Sequence, residues 1–112
     1  MTTRWDNCIE ACRDCAIECE RCTDACLEEK DVTAKSRCIK LNRDCVAACM
    51  LAIRLMTSGS SFAEEFCRVC AEICQACADE CAKHDTEHCK RCAEACRRCA
   101  EECRSMAGAK AA

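Results

Sequence analysis

The sequence predicts an all-α protein, an antiparallel up-down-up-down four-helix bundle with a cysteine-lined core. Nineteen of its 112 residues are cysteines, and in three series along the chain they recur at alternating intervals of three and four residues. That spacing places a series on one stripe of an α-helix, where Leu and Ile usually face a partner helix. The chain has no proline and two glycines, so long helices joined by short turns are expected.

The first two helices follow from this pattern and from its breaks. The first is predicted over residues 3–28, and its cysteines are Cys8, Cys12, Cys15, Cys19, Cys22 and Cys26. A polar turn over 28–31 leads to the second helix, predicted over residues 32–56. Its cysteines are Cys38, Cys45 and Cys49. Asn42 continues this stripe, because it lies four residues beyond Cys38 and three before Cys45.

The last two helices carry the most regular series. The third is predicted over residues 61–83, after a break at 57–60, with Ser61 and Glu64 forming a capping box. Its cysteines are Cys67, Cys70, Cys74, Cys77 and Cys81. The fourth is predicted over residues 86–107, with Asp85 as its N-cap. Its cysteines are Cys89, Cys92, Cys96, Cys99 and Cys103. The whole chain, residues 1–112, is predicted to form one domain.

The two ends of the predicted bundle differ in character. Antiparallel packing brings five bulky apolar residues to one end, namely Trp5, Met56, Phe62, Phe66 and Met106. That end should be sealed. The other end holds the polar turns and both histidines: His84 lies three residues beyond Cys81, and His88 lies four before Cys92. An ion is therefore expected to enter at the histidine end.

Composition excludes several classes of function. The net charge is −3 with both signs interspersed, so no basic stripe predicts nucleic-acid binding. The longest apolar run, residues 45–53, is too short to span a membrane, and no signal-peptide pattern follows Met1. A cytoplasmic, reducing location is expected, which disfavours a disulfide scaffold. No catalytic constellation is present, so an enzyme is not predicted.

Thiolates in this number indicate a soft metal, and charge balance selects among the candidates. Buried cysteine also serves as a small apolar core residue, but nineteen in register favour metal binding. Cu(I) carries one positive charge, so about one ion per thiolate leaves a nearly neutral core. Zinc bound by four thiolates leaves buried negative charge, which is costly. Iron–sulfur motifs lie in loops and usually include proline. Copper is favoured, and a zinc- or iron–sulfur-binding structural or metallochaperone bundle is the alternative.

On these residues the chain resembles the cytosolic copper storage proteins of bacteria, four-helix bundles whose core is lined with cysteine. The resemblance covers about Cys8 to Met106 and includes the second-helix segment from Cys38 to Cys49. It implies storage of many Cu(I) ions, roughly one per cysteine, for copper tolerance or supply, and a homotetramer. It also implies that all nineteen cysteines are ligands, together with His84 or His88. Asn42 is a further candidate ligand, through its side-chain oxygen.

Overall fold

The computed structural model describes residues 2–111, which form four α-helices and one short 3-10 helix. The helices are α1 (Asp6–Leu27), α2 (Ser36–Thr57), α3 (Ala63–Cys81) and α4 (Glu87–Ala111), and the 3-10 helix is Val32–Lys35. The predicted all-α bundle is confirmed. Within the described residues, no helix combines the length and the apolar character needed to cross a membrane.

The order of sulfur contacts shows that the helices alternate in direction. From Cys8 to Cys22 along α1, the partner sulfurs on α4 run backwards, from Cys103 to Cys89. Contacts between α2 and α3 follow the same reversed order. Helix α1 packs against α2 and α4, and α3 packs against the same two helices. The four cysteine stripes therefore meet along the bundle axis.

The predicted start of the second helix is wrong. Residues Val32–Lys35 form a separate 3-10 helix, and α2 begins at Ser36. Asp31 explains the difference, because its carboxylate accepts a hydrogen bond from the Ala34 backbone N–H at 3.3 Å. Such a side-chain cap starts a new turn and favours the tighter 3-10 geometry at a helix entrance.

The predicted capping box of the third helix is also wrong. Helix α3 begins at Ala63, two residues later than predicted, and Phe62 precedes its first turn. The local contacts use other partners: the Ser60 hydroxyl accepts from the Phe62 N–H at 3.1 Å. The Glu64 carboxylate forms an ion pair with Arg4 at 3.2 Å. That helix ends at Cys81, two residues before the predicted end at 83.

The fourth helix differs from its prediction at both ends. It begins at Glu87, so Thr86 and not Asp85 precedes its first turn. The Thr86 carbonyl accepts from the Lys90 N–H at 3.0 Å, and the exposed Asp85 carboxylate pairs with the Lys90 side chain at 3.2 Å. The helix continues to Ala111, beyond the predicted end at 107.

Apolar side chains cover one end of the bundle, here called the closed end, where α1 begins and the α2–α3 turn lies. Met56 is buried, and Trp5, Phe66 and Met106 pack half-buried against the core. Phe62, by contrast, is 67% exposed. Its predicted place in this seal is wrong because it precedes α3 and falls outside the three-four spacing of that helix.

Candidate metal centre

All nineteen cysteines lie fully buried between the helices with free thiols. Their Sγ atoms touch across helix boundaries, from 3.3 Å between Cys38 and Cys81 to 4.0 Å between Cys45 and Cys96. Small residues flank them, since most other buried positions in the core are alanine. The helices consequently approach closely around an interior that is filled mainly by sulfur.

The sulfurs gather into groups of four whose Sγ atoms lie within 4.8 Å of one another. One such group contains Cys12, Cys49, Cys70 and Cys99. The next contains Cys15, Cys49, Cys74 and Cys99, so the two share two members. Further along the axis lie the groups Cys15, Cys19, Cys45, Cys96 and then Cys19, Cys77, Cys92, Cys96. Because adjoining groups share sulfurs, they form one continuous structure, here called the sulfur column.

The thiols in the column cannot all ionise together. Burial, together with the charges of Cys89 and Cys38, raises the pKa of Cys26 to about 12. A hydrogen bond from Cys22, and another from Cys81, lower the pKa of Cys38 to about 3. One sulfur thus ionises because its neighbours stay protonated. A monovalent cation that replaces the protons removes this repulsion, so the column suits Cu(I) chemically.

Asn42 lies inside the column at a position where the α2 stripe predicts a cysteine, and it is fully buried. Its Oδ1 accepts from the thiols of Cys77 at 3.1 Å, Cys92 at 3.3 Å and Cys81 at 3.6 Å. Its Nδ2 lies 3.9 Å from the Cys38 Sγ. The amide therefore contacts four candidate metal ligands.

Both histidines lie at the other end of the bundle, here called the open end, where residues 28–35 and 82–88 meet. His84 and His88 are half-buried. The His84 Nε2 lies 3.0 Å from a Glu80 carboxylate oxygen, and the His88 Nε2 lies 2.8 Å from a Glu29 carboxylate oxygen. A carboxylate that holds one ring nitrogen fixes the orientation of the imidazole, as it does for histidine ligands in metal sites. The Nδ1 atom is then the nitrogen that a metal would use.

Sequence reasoning missed an ion pair at the open end between a buried lysine and a half-buried glutamate. The Lys35 Nζ donates to both Glu29 carboxylate oxygens, at 2.9 and 2.8 Å, and lies 3.8 Å from the Cys89 Sγ. Burial alone would lower the pKa of Lys35, but the hydrogen bond to Glu29 and the charges of Cys89 and Cys26 outweigh it and raise that pKa. The spacing of these two residues from the nearest cysteines could have indicated the pair. Lys35 lies three residues before Cys38, and Glu29 lies three residues after Cys26. Both residues extend a cysteine stripe by one step.

Known proteins share this fold. A family model described as copper storage protein matches residues 1–108. The Cu(I)-bound copper storage protein BsCsp3 is 50% identical with a TM-score of 0.91, over 94% of this chain and 99% of that one. The copper storage protein Ccsp from Streptomyces lividans, loaded with 10 copper equivalents, is 37% identical with a TM-score of 0.88, over 91% of this chain and 82% of that one.

A third relative matches a shorter part of this chain. The uncharacterized cysteine-rich protein YhjQ from Bacillus subtilis is 52% identical over 65 residues, which are 58% of this chain and 60% of that relative. The match spans less than two thirds of the relative's length, whereas the two structural matches run along nearly the whole chain.

Proposed function

The chain belongs to the copper storage protein family, and from that premise we propose that it stores Cu(I) in the sulfur column at about one ion per cysteine. The burial of all nineteen thiols and the sharing of sulfurs between neighbouring groups carry this proposal. Each Cu(I) adds one positive charge and each thiolate one negative charge, so the filled column is close to neutral. A neutral core avoids the cost of unpaired charge in a low-dielectric interior.

The proposed ligands are the thiolates of all nineteen cysteines. At the open end, His84 and His88 act as first ligands through Nδ1, because neutral imidazole binds Cu(I) without adding charge. Asn42 is a weaker ligand through Oδ1, since amide oxygen is harder than thiolate and matches Cu(I) poorly.

At the level of the whole protein, residues 1–112 form a single copper-binding domain that holds copper and does not act as an enzyme. We place it in the cytosol, because a relative from Streptomyces lividans is described as a cytosolic copper storage protein. We further propose a homotetramer on the basis of the family resemblance. The exposed apolar side chains of Met50, Leu51 and Val69 suit contact with other copies.

A zinc-binding bundle fits the geometry less well. Zinc in a structural site takes four ligands arranged as a tetrahedron, whereas the sulfur groups in this core share members. Sharing prevents each group from closing around its own zinc ion. Bridging thiolates between Cu(I) ions require such sharing.

Anaerobic titration of the reduced, metal-free protein with Cu(I) against a competing chelator tests the proposal. We expect saturation at about 19 Cu(I) ions per chain, with thiols counted on the same sample. Zinc binding should stop at about four ions, because each takes four thiolates. Saturation at about four or five Cu(I) ions would contradict storage and favour the zinc-like alternative.

A further inference from the structure

The open end carries a buried lysine next to the outermost sulfurs. Lys35 is 6% exposed, and its Nζ lies 3.8 Å from the Cys89 Sγ. Cys89 belongs to a group whose sulfurs all lie within 4.8 Å of one another, and whose members are Cys22, Cys26, Cys38 and Cys89. Lysine is rarely buried unless a negative group pairs with it. The ammonium therefore sits between the Glu29 carboxylate and the sulfur group.

The charge of that sulfur group changes as copper enters and leaves. A copper–thiolate group is neutral only when ions and thiolates are equal in number. With fewer ions, Cu(I) bound between two thiolates forms an anionic unit. The outermost group is emptied first when copper leaves through the open end. A fixed cation at contact distance stabilises an anionic group far more in a protein interior than in water.

We propose that Lys35 is the counter-ion of the outermost copper–thiolate group and that it slows copper loss through the open end. This inference rests on the proposed copper storage. Glu29 has two opposing effects: its carboxylate oxygens accept from Nζ at 2.8 and 2.9 Å and so hold the ammonium in place. Its negative charge also offsets part of the attraction between Lys35 and the copper–thiolate group.

Replacement of the ammonium by an apolar side chain without sulfur tests the inference, because a thioether at this position would add a Cu(I) ligand. Protein loaded to capacity is mixed with an excess of a competing Cu(I) chelator, and the rate of copper transfer is followed. Lys35→Leu should release the first ions about tenfold faster than the parent, because one charge-assisted contact is lost. Lys35→Arg should stay near the parental rate. Lys40→Leu, a change at an exposed lysine of α2, serves as the matched control and should leave the rate unchanged.

A Glu29→Gln variant separates a counter-ion from a mechanical closure. Glutamine keeps an oxygen that accepts from Lys35 but removes the opposing charge. Because Glu29 also holds the His88 Nε2 at 2.8 Å, the change is made in a His88→Ala background. If Lys35 acts as a counter-ion, the double variant loses copper no faster than His88→Ala. If the Lys35–Glu29 pair only closes the end, Glu29→Gln accelerates copper loss from His88→Ala as much as Lys35→Leu accelerates it from the parent, and that result would overturn the inference. Equal rates for Lys35→Leu and the parent would also overturn it.

Two further measurements separate this inference from folding effects and from the proposed function. Denaturant unfolding of the metal-free variants reports any loss of stability, and Lys35→Gln, which also removes the charge, takes the place of Lys35→Leu if that variant folds poorly. Copper capacity is measured on the same samples. A low capacity of the parent contradicts storage itself, whereas full capacity with unchanged release rates contradicts only the role of Lys35.

Discussion

Asn42 shows how one polar residue is accommodated in a core of thiols. Its Oδ1 accepts from three thiols of α3 and α4, and an apolar residue of that size would leave those thiols without this acceptor. When copper replaces the thiol protons, the oxygen loses these donors. The sulfur layer around Asn42 should therefore hold copper less firmly than its neighbours.

Replacement of Asn42 by cysteine tests this expectation. Asn42→Cys should leave the fold intact, because the stripe already accepts cysteine, and it should raise the Cu(I) capacity by about one ion. Titration of the variant beside the parent measures the change. Asn7→Cys, at an exposed position of α1, is the matched control and should leave the capacity unchanged. An unchanged capacity for Asn42→Cys, with its new thiol reactive in the loaded protein, would show that residue 42 contributes no ligand.

At the scale of the elements, helix interiors could be predicted from the sequence far better than helix ends. The three-four alternation of cysteine determines which face is buried, because it matches the period of the α-helix. Helix ends depend instead on single hydrogen bonds between neighbouring groups. Asp31 caps a separate 3-10 turn, and the Ser60 hydroxyl binds the Phe62 N–H in place of the predicted capping box. Several local partners were available in each case, and the sequence does not rank them.

The same limit explains which parts of the site were missed. The cysteines lie within helices, so their spacing predicts where they meet. Lys35 and Glu29 lie in the segment between α1 and α2, whose course depends on the Asp31 turn. The cysteine spacing extends to both residues and so indicates the end of the bundle where they lie, but their distance from Cys89 depends on the course of this segment.

The turns at the open end lead to a kinetic prediction. Replacement of both His84 and His88 by alanine should slow the loading of Cu(I), because an entering ion loses its first ligands. The capacity should stay within about one or two ions of the parent, since the thiolates remain. Stopped-flow mixing of the metal-free protein with a Cu(I) donor measures the rate. Phe62→Ala, at an exposed position of the closed end, is the matched control and should load at the parental rate. Parental loading by the histidine variant would show that the histidines are not the first ligands of an entering ion.

At the scale of the whole molecule, the two ends differ because the cysteine stripes continue into different residues. The stripes of α1 and α2 extend to Trp5 and Met56 at the closed end, and to Glu29 and Lys35 at the open end. The same helices thus provide an apolar cover on one side and charged groups on the other. Between the two ends, metal-free folding depends on thiols that stay largely protonated.

Because folding of the metal-free protein depends on protonated thiols, we expect this form to lose stability at alkaline pH. The pKa of Cys26 is raised to about 12, so above pH 9 the folded state keeps a proton that the unfolded chain releases. The free energy of unfolding should then fall as pH rises, by roughly 1 kcal/mol per pH unit for one such thiol. Thiols with a lowered pKa, such as Cys38, act in the opposite direction near pH 9, where the unfolded thiol is still partly protonated, and they add no slope above about pH 10, where they are ionised in both states.

Urea unfolding between pH 9 and 11, under anaerobic conditions, measures the effect. The copper-loaded protein has exchanged its thiol protons for metal, so it should lack this slope while sharing every other titrating group. Equal pH dependence of the two forms would show that the buried thiols are not responsible.

The sharing of sulfurs between neighbouring groups fixes the order in which ions enter and leave the molecule. An ion advances by exchanging one thiolate at a time, and with Met56 and its neighbours covering one end it has a single direction in which to leave. The last ion to arrive should therefore be the first to depart, and the oldest ions should lie deepest. Copper near the histidines is then released first when copper is needed quickly, while copper beyond Cys12 is released only during a prolonged shortage. A heavy copper isotope supplied last should be recovered first by a chelator, and recovery in the mixed proportion would show that the ions exchange places faster than they leave.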